Sequence, residues 1–245
     1  MKKIIRNFLA LFGLKLSKLS SLKKDWREDP FEVKKSILDK SSTQLVIFDV
    51  GAYVGNVALH YRSLFTNSII YCFEPFQSSY SKLKEQVTPY ENIFHYNVGM
   101  SNYCGKSSFH SNKFAPTNSL LATHLKGSET WETDRLDTQE IISIDIITLD
   151  SFIEEHSIQN IDLLKLDVQG VEYQVLQGAE NALRGGKIKM IYTEILTMPA
   201  YEGQNYLDEI LQLLRKYNYK LINFYNLSLT NLGELRQVDA LFIKE

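Results

Sequence analysis

Residues 46–56 read VIFDVGAYVGN, an apolar run that contains Asp49 and continues into two glycines four residues apart. A strand that enters a glycine turn and then a helix is typical of nucleotide-binding α/β folds. The dinucleotide fingerprint has a middle glycine, which lets the backbone approach a pyrophosphate closely. Ala52 and Tyr53 stand there instead, and no Walker lysine follows. The turn therefore predicts a nucleoside ligand without phosphates.

Short apolar runs alternate with helical patterns along most of the chain. Each run is rich in β-branched or aromatic residues and suits a buried parallel strand. The runs cover residues 45–50, 68–74, 161–167 and 187–194, and the helical patterns between them cover residues 56–63, 78–86 and 171–183. This alternation predicts an α/β fold in which helices cover both faces of a mostly parallel sheet.

The pattern changes near the C-terminus. A helical pattern over residues 206–217 precedes two strand-like runs at residues 219–227 and 237–245. The polar connection at residues 230–234 contains Gly233 and suits a hairpin. We therefore expect the last strand to enter the sheet antiparallel to the others.

Residues 99–140 form a long, polar stretch of weak periodicity. Loops of this length in a compact domain are usually functional or mobile. Residues 141–149 then alternate isoleucine with polar residues, which predicts a half-exposed strand added near the functional face. We expect the loops at residues 101–140 and 197–206 to select the substrate.

Four of the apolar runs lead to an acidic residue near their carboxyl ends: Asp49, Glu74, Asp167 and Glu194. Parallel strands share one carboxyl edge, so these carboxylates are expected to line one cleft, although acids there can also cap the helices that follow. Acidic groups repel phosphates, so the predicted ligand is a cationic nucleoside, and S-adenosylmethionine fits. Glu74 follows Asp49 by 25 residues, where a carboxylate accepts hydrogen bonds from ribose hydroxyls.

The chain resembles the FkbM-type S-adenosylmethionine-dependent methyltransferases over residues 45–243. The resemblance is carried by FDVGAYVGNVAL, CFEPF, KLDVQGVEYQVLQGA, IYTEI and DALFIK, which occur in this order. It implies a class I methyltransferase fold, a three-layer sandwich around a seven-stranded sheet, and O-methylation, often of sugar hydroxyls. It also implies a cofactor site made of Asp49, Gly51, Ala52, Tyr53, Gly55, Asn56, Glu74, Pro75, Val98, Gly99, Met100 and Asp167.

One position departs from the family pattern. The family usually has Asp-Val-Glu-Gly where residues 167–170 read DVQG, so Gln169 keeps hydrogen-bonding capacity but lacks the charge. A non-catalytic cofactor-binding protein is therefore an alternative, although Asp167 and Glu172 remain. A nicotinamide-dependent oxidoreductase on a similar fold is a second alternative, against which Tyr53 argues.

Methyl transfer to a hydroxyl needs a base, because a sugar hydroxyl is a poor nucleophile. We expect Asp167 to organise the site and Glu194 or His124 to take the proton. The residues that suit an acceptor pocket for a sugar ring are Asn118, Ser119, Trp131 and Tyr201. No spacing of His or Asp ligands stands out, so no metal site is predicted.

Charge is distributed unevenly along the chain. Residues 1–24 hold seven Lys/Arg and no acid, whereas the remainder holds 20 basic and 29 acidic residues. The basic segment predicts an amphipathic helix whose apolar stretch is too short to span a membrane. This helix is expected to pack on the body or on a second subunit, or to lie on an anionic membrane surface. We expect residues 1–40 to be an extension and residues 41–245 the methyltransferase domain. The body lacks a nucleic-acid-binding basic patch, and its two cysteines suit a reduced, cytoplasmic protein.

Overall fold

The computed structural model describes residues 25–38, 44–131 and 133–245. The chain divides into two compact units, with the boundary between Ile37 and Leu38. The amphipathic helix predicted for residues 1–24 lies outside the described residues. Its contact with a membrane or a second subunit, and the domain boundary at residue 40, therefore stay predictions.

Helices and strands alternate through the second unit. Its helices are α2 Asn56–Leu64, α3 Gln77–Val87, α4 Gly127–Thr130, α5 Leu149–Glu155, α6 Glu172–Gln177, α7 Glu180–Arg184 and α8 Leu207–Lys216, with a 3-10 turn at Ala115–Thr117. A 3-10 turn at Trp26–Glu28 and helix α1 Pro30–Leu38, up to Ile37, belong to the first unit. The strands are β1 Leu45–Val50, β2 Ser68–Phe73, β3 Ile93–Tyr96, β4 Gly99–Met100, β5 Gly105–Asn112, β6 Thr138–Ile147, β7 Leu163–Leu166, β8 Met190–Leu196, β9 Tyr219–Leu229 and β10 Leu235–Lys244. Within the described ranges, no helix is long and apolar enough to cross a membrane.

The central sheet has seven strands in the order β3-β2-β1-β7-β8-β10-β9. The pairs β3-β2, β2-β1, β1-β7 and β7-β8 are parallel, whereas β10 is antiparallel to both β8 and β9. The connection between β9 and β10 is the predicted hairpin at residues 230–234. The predicted α/β fold, a mostly parallel seven-stranded sheet with an antiparallel last strand, is confirmed.

The central strands are apolar because helices cover them. In β1, Ile47 and Phe48 have no solvent exposure, as expected for a strand in the middle of a parallel sheet. The Phe48 ring packs against Phe73 of β2 and Phe152 of α5, with centroids 5.5 and 5.6 Å apart. These contacts join strand to strand and sheet to helix, which holds the carboxyl ends of β1 and β2 in place.

The prediction of one continuous helix over residues 171–183 is wrong. The structure has two short helices there, α6 and α7, interrupted at Gly178 and Ala179. A Cβ on Gly178 would lie 2.1 Å from the carbonyl oxygen of Ser101, so the backbone passes too close for any side chain. The Gly178 carbonyl accepts a hydrogen bond from the Asp150 amide instead of one within a continuous helix. Tertiary contact therefore overrides the helical pattern.

The expectation of a loop throughout residues 99–140 is also wrong. This stretch contains β4, β5, a 3-10 turn and α4, and β6 begins within it. The strands β4, β6 and β5 form a second sheet in that order, with β5 antiparallel to β6. Phe109, Ile144 and Ile146 are buried on one face, whereas Lys106 and Asp145 form an exposed ion pair. A sheet with one solvated face has a polar sequence, which explains why β5 reads as a loop.

Candidate active site

A cavity of about 270 Å³ lies at the carboxyl ends of β1, β2 and β7. The strand order reverses direction between β1 and β7, and open α/β sheets bind their ligands at such a point. Strand β5 of the second sheet and the segment between β5 and β6 supply another wall, through Phe109, Ala115, Pro116, Asn118 and Leu120. The half-exposed strand β6 thus belongs to a sheet that borders the site.

The turn after β1 forms one end of the cavity. Gly51 has a φ of +78°, and a Cβ there would lie 1.9 Å from the carbonyl oxygen of Asp167. Only glycine allows this contact between the turn and the end of β7. Tyr53 has a φ of +51°, in the left-handed region that non-glycine residues seldom adopt. The turn therefore has an unfavourable backbone conformation that contacts with other residues must stabilise.

Glu74 holds the turn from the end of β2. One of its carboxylate oxygens accepts a hydrogen bond from the Tyr53 amide at 2.9 Å, and the other accepts one from the Phe76 amide at 2.9 Å. Burial raises the pKa of Glu74 to about 7, although both amides oppose that shift. Glu74 lines the cavity beside the turn, where the sequence places the carboxylate for ribose.

Lys165 is a cavity residue that sequence reasoning missed. Its Nζ lies 3.0 Å from Asp49 Oδ1 and 3.5 Å from Asp167 Oδ2, and it donates a hydrogen bond to the Gly51 carbonyl at 2.9 Å. Burial alone would lower the pKa of Lys165, but Asp49 and Asp167 together raise it above its ordinary value. The available signal was a lysine inside an apolar strand, two residues before Asp167 and so on the same face.

Gln169 joins the predicted acidic residues to one another. Its Nε2 donates to Asp167 Oδ1 at 2.9 Å and to Glu194 Oε2 at 2.6 Å. Its Oε1 lies 3.0 Å from the Tyr201 hydroxyl, and its carbonyl accepts from the Ser119 hydroxyl at 2.6 Å. Gln169 also has a φ of +56°. These four contacts fix both the side chain and the strained backbone of Gln169 beside the cavity.

The three predicted catalytic residues occupy different positions. Asp167 lines the cavity, and 40% of its side chain is exposed. Glu194 does not line it; its two oxygens accept hydrogen bonds from the amides of Gln169 and Gln237. Burial, followed by the charge of Asp167, raises the pKa of Glu194 well above its ordinary value. His124 also lies away from the cavity lining, and its Nδ1 accepts from the Lys126 amide at 3.1 Å.

Most of the predicted cofactor residues meet around the cavity. The lining includes Gly51, Ala52, Tyr53, Asn56, Glu74, Pro75, Val98, Gly99, Met100 and Asp167. Asp49 and Gly55 do not line it. Asp49 is fully buried and forms its ion pair with Lys165, and Gly55 packs on α3, where a Cβ would lie 2.8 Å from Leu83. Asp49 therefore lies behind the cavity lining, in contact with the lining residue Lys165.

The predicted acceptor residues divide in the same way. Asn118 lines the cavity, whereas Ser119, Trp131 and Tyr201 do not. The Tyr201 hydroxyl lies 2.8 Å from the Thr117 carbonyl, and the Trp131 indole nitrogen donates to the Pro199 carbonyl at 3.2 Å. These side chains therefore make their contacts outside the cavity lining. Over the described ranges, no group of three or more His, Cys, Asp or Glu residues could hold a metal ion.

Comparison with known proteins gives one family. The Methyltransferase FkbM domain profile matches residues 49–221, well over half of the chain. The 2-O-methyltransferase NoeI of Sinorhizobium fredii is 30% identical over 191 residues, which cover 74% of this chain and 75% of NoeI. The 31-O-demethyl-FK506 methyltransferase FkbM of Streptomyces tacrolimicus is 26% identical, covering 72% of this chain and 73% of its own. The hexuronic acid methyltransferase AglP of Haloferax volcanii is 24% identical, covering 67% and 61%.

The cavity residues fit S-adenosylmethionine. The positively charged sulfur and amino groups of this molecule suit a cavity lined by the carboxylates of Glu74 and Asp167. Glu74 has lone pairs beyond those taken by two backbone amides, so it can also accept hydrogen bonds from ribose hydroxyls. The bulky Tyr53 occupies the position at which a pyrophosphate site needs glycine. The chain belongs to the FkbM methyltransferase family and uses S-adenosylmethionine as its methyl donor.

Proposed function

We propose that this protein methylates a hydroxyl group of a sugar, either within a glycan or on a glycosylated natural product. The observation that carries the proposal is the position of Asp167. Its carboxylate is the one acid of the three predicted catalytic residues that lines the cavity, and it is partly exposed there. A hydroxyl placed against it can lose its proton during the reaction.

Two neighbouring side chains orient the Asp167 carboxylate for this reaction. Lys165 lies 3.5 Å from one carboxylate oxygen, and the Gln169 amide donates to the other at 2.9 Å. These contacts hold the carboxylate in one orientation at the end of β7, which favours an aligned attack. Glu194 acts through Gln169 and not on the acceptor, because it does not line the cavity and its carboxylate accepts from the Gln169 amide.

When bound, S-adenosylmethionine supplies a methyl group activated by its positively charged sulfur. With the methyl donor bound, Asp167 would take the proton of the acceptor hydroxyl as its oxygen gains the methyl group, and S-adenosylhomocysteine would be the leaving group. The cavity residues contribute by aligning the acceptor oxygen with the methyl carbon at about 3 Å. A metal ion has no part in this proposal.

The choice of acceptor is supported by the relatives. NoeI is named a 2-O-methyltransferase, AglP a hexuronic acid methyltransferase, and the Streptomyces protein acts on 31-O-demethyl-FK506. Two of these names specify methylation at an oxygen atom, and the third specifies a sugar acid as the acceptor. The family assignment favours methyl transfer over the nicotinamide and non-catalytic alternatives.

The test is incubation with S-adenosylmethionine labelled in its methyl group. The acceptors are methyl glycosides of a hexose, a 6-deoxyhexose and a hexuronic acid, together with a cell extract. We expect label on a sugar oxygen, and we expect Asp167→Asn to lower turnover at least about 100-fold at saturating S-adenosylmethionine. Label found only on nitrogen or carbon, or full turnover by Asp167→Asn, would contradict the proposal.

A further inference from the structure

Glu172 is a buried carboxylate that the proposed reaction does not use. It is the first residue of α6 and is only 3% exposed. One of its oxygens accepts a hydrogen bond from the Val168 amide at 2.9 Å, and the other accepts one from the Gly170 amide at 3.0 Å. These two amides lie on either side of Gln169. A single carboxylate therefore spans the residue whose side chain contacts Asp167.

The backbone between the two amides is strained. Gln169 has a φ of +56°, in the left-handed region, and it is followed by Gly170 with a φ of +96°. A non-glycine residue keeps such a conformation only where its surroundings hold it, and such residues cluster at functional sites. Gln169 lines the cavity two residues after Asp167. Glu172 holds the conformation by accepting from the amide before Gln169 and from the amide after it.

The side-chain contacts of Gln169 depend on this backbone. Its Nε2 donates to Asp167 Oδ1 at 2.9 Å and to Glu194 Oε2 at 2.6 Å. A change in the φ of Gln169 alters the direction in which its side chain leaves the main chain. Because hydrogen bonds weaken steeply when they are lengthened or bent, such a change would disturb both contacts together.

Stability alone does not explain a carboxylate at this position. Burial raises the pKa of Glu172 to about 7, and the charge of Asp167 adds to the rise. A carboxylate whose pKa is raised by folding destabilises the folded protein when it ionises. Buried groups with such shifts are concentrated at functional sites.

We propose that Glu172 is a positioning residue for the methyl transfer: by holding the strained backbone of Gln169, its carboxylate places the Gln169 amide against Asp167. This inference rests on the proposed role of Asp167 and goes beyond it. It assigns a function in the reaction to a residue that does not line the cavity.

Glu172→Gln tests the proposal, because it keeps the size of the side chain but offers an NH₂ group to one of the two backbone amides. With the methyl glycoside that accepts label, we expect kcat to fall by about 10- to 100-fold. The KM for S-adenosylmethionine should change by less than about threefold, because Glu74 and the turn after β1 keep their contacts. A wild-type kcat in Glu172→Gln would overturn the proposal.

Asp150→Asn is the matched control. Asp150 likewise accepts from two backbone amides, those of Asn181 and Ala182 at 2.8 and 2.9 Å, and it does not line the cavity. We expect this variant to lose stability in urea denaturation while its kcat stays at the wild-type value. An equal fall of kcat in both variants would show that the effect of Glu172 is not specific to the turn that carries Gln169.

A double-mutant cycle tests whether Glu172 acts through Gln169. Gln169→Met removes the side-chain amide, so nothing remains at that position for Glu172 to place against Asp167. In this background, we expect Glu172→Gln to lower kcat further by less than about twofold. A further fall as large as that in the wild-type background would mean that Glu172 acts by another route, which would contradict the proposal.

NMR separates this inference from the proposed function. Glutamine labelled with a heavy nitrogen isotope reports each side-chain amide, and the Gln169 signal is the one that Gln169→Met removes, in the wild type and in Glu172→Gln alike. We expect Glu172→Gln to shift this signal and to speed its hydrogen exchange with water at least about 10-fold, whereas Asp150→Asn leaves it unchanged. If no acceptor is methylated, or if Asp167→Asn keeps full turnover, the proposed function fails and this signal alone decides. An unchanged Gln169 signal in Glu172→Gln would overturn the inference.

Discussion

Lys165 Nζ lies 3.0 Å from Asp49 Oδ1, and both side chains are almost completely removed from solvent, with 7% and 0% exposure. The two residues are direct neighbours in the pairing of β1 and β7. This pair binds together the central strands beneath the cavity, and Lys165 also holds the Gly51 carbonyl of the turn. The turn after β1 and the Asp167 carboxylate are thus both in contact with one buried ammonium group.

Lys165→Met tests that arrangement. It leaves the buried Asp49 carboxylate without its ammonium partner, so we expect the free energy of unfolding to fall by about 3–5 kcal/mol. Urea denaturation measures the change. The double variant Asp49→Asn/Lys165→Met removes both charges and should recover a large part of the loss. Equal losses in the single and double variants would show that the ion pair is not what holds this part of the sheet.

The sequence predicts the parts of this site that depend on strand order. Glu74 and Asp167 follow separate apolar strands, and parallel strands bring their carboxyl ends to one edge, so their meeting at one cavity could be expected. The position of Glu194 could not, because a side chain at the same edge can point into a cavity or behind it. That choice is set by Gln169 and Gln237, whose amides hold both of its oxygens.

The second sheet is another feature that the sequence alone could not predict. Its polar, weakly periodic sequence arises because one face meets solvent, so β5 carries no strong strand signal. The break between α6 and α7 likewise depends on the approach of Gly178 to the Ser101 backbone, a contact between distant parts of the chain. Such contacts are invisible to local periodicity.

Glu74 is expected to make cofactor binding depend on pH. Its pKa is about 7 in the folded protein, and ribose hydroxyls are bound better by a carboxylate than by a neutral carboxyl. The affinity for S-adenosylhomocysteine should therefore rise as the pH increases through about 7. Calorimetry between pH 5.5 and 8.5 measures it. Glu74→Gln should bind more weakly at high pH and show a flat profile; a wild-type profile without a step near that pH would refute this assignment.

Ionisation of Glu172 should lower the stability of the folded protein as the pH rises, whereas ionisation of most carboxylates raises it. Burial raises its pKa from 4.5 to about 7, although it accepts hydrogen bonds from the Val168 and Gly170 amides. A raised pKa in the folded state means that its contribution is fully present below about pH 4.5 and is lost as the pH rises through about 7. The unfolding free energy of Glu172→Gln, followed by urea denaturation from pH 4.5 to 8, should therefore fall less with pH than that of the wild type. Parallel profiles for the two proteins would contradict the assignment.

Gln169→Glu should change the pH dependence of catalysis. The wild-type amide donates to both Asp167 and Glu194, whereas a carboxylate there would remove that donor and add a negative charge beside Asp167. Like charges favour the protonated forms, so we expect the acidic limb of the kcat/KM profile to move up by at least about one pH unit. Gln237→Glu is the matched control, since Gln237 contacts Glu194 but not Asp167. A shift of the same size in both variants would mean that the change does not act through the contact between residue 169 and Asp167.

Gly51→Ala tests whether the turn is shaped by crowding or by backbone conformation alone. Gly51 and Gly203 both have positive φ, at +78° and +73°, but a Cβ on Gly51 would lie 1.9 Å from the Asp167 carbonyl oxygen while one on Gly203 meets nothing within 4 Å. Alanine at Gly203 should therefore cost only the backbone term, about 1–2 kcal/mol. At Gly51 the turn must also move away from β7, which disrupts the Tyr53–Glu74 contact, so we expect a larger loss of unfolding free energy together with loss of S-adenosylhomocysteine binding. If the two alanine variants lose the same stability and both bind the ligand, the close approach of the turn to β7 is not required for the site.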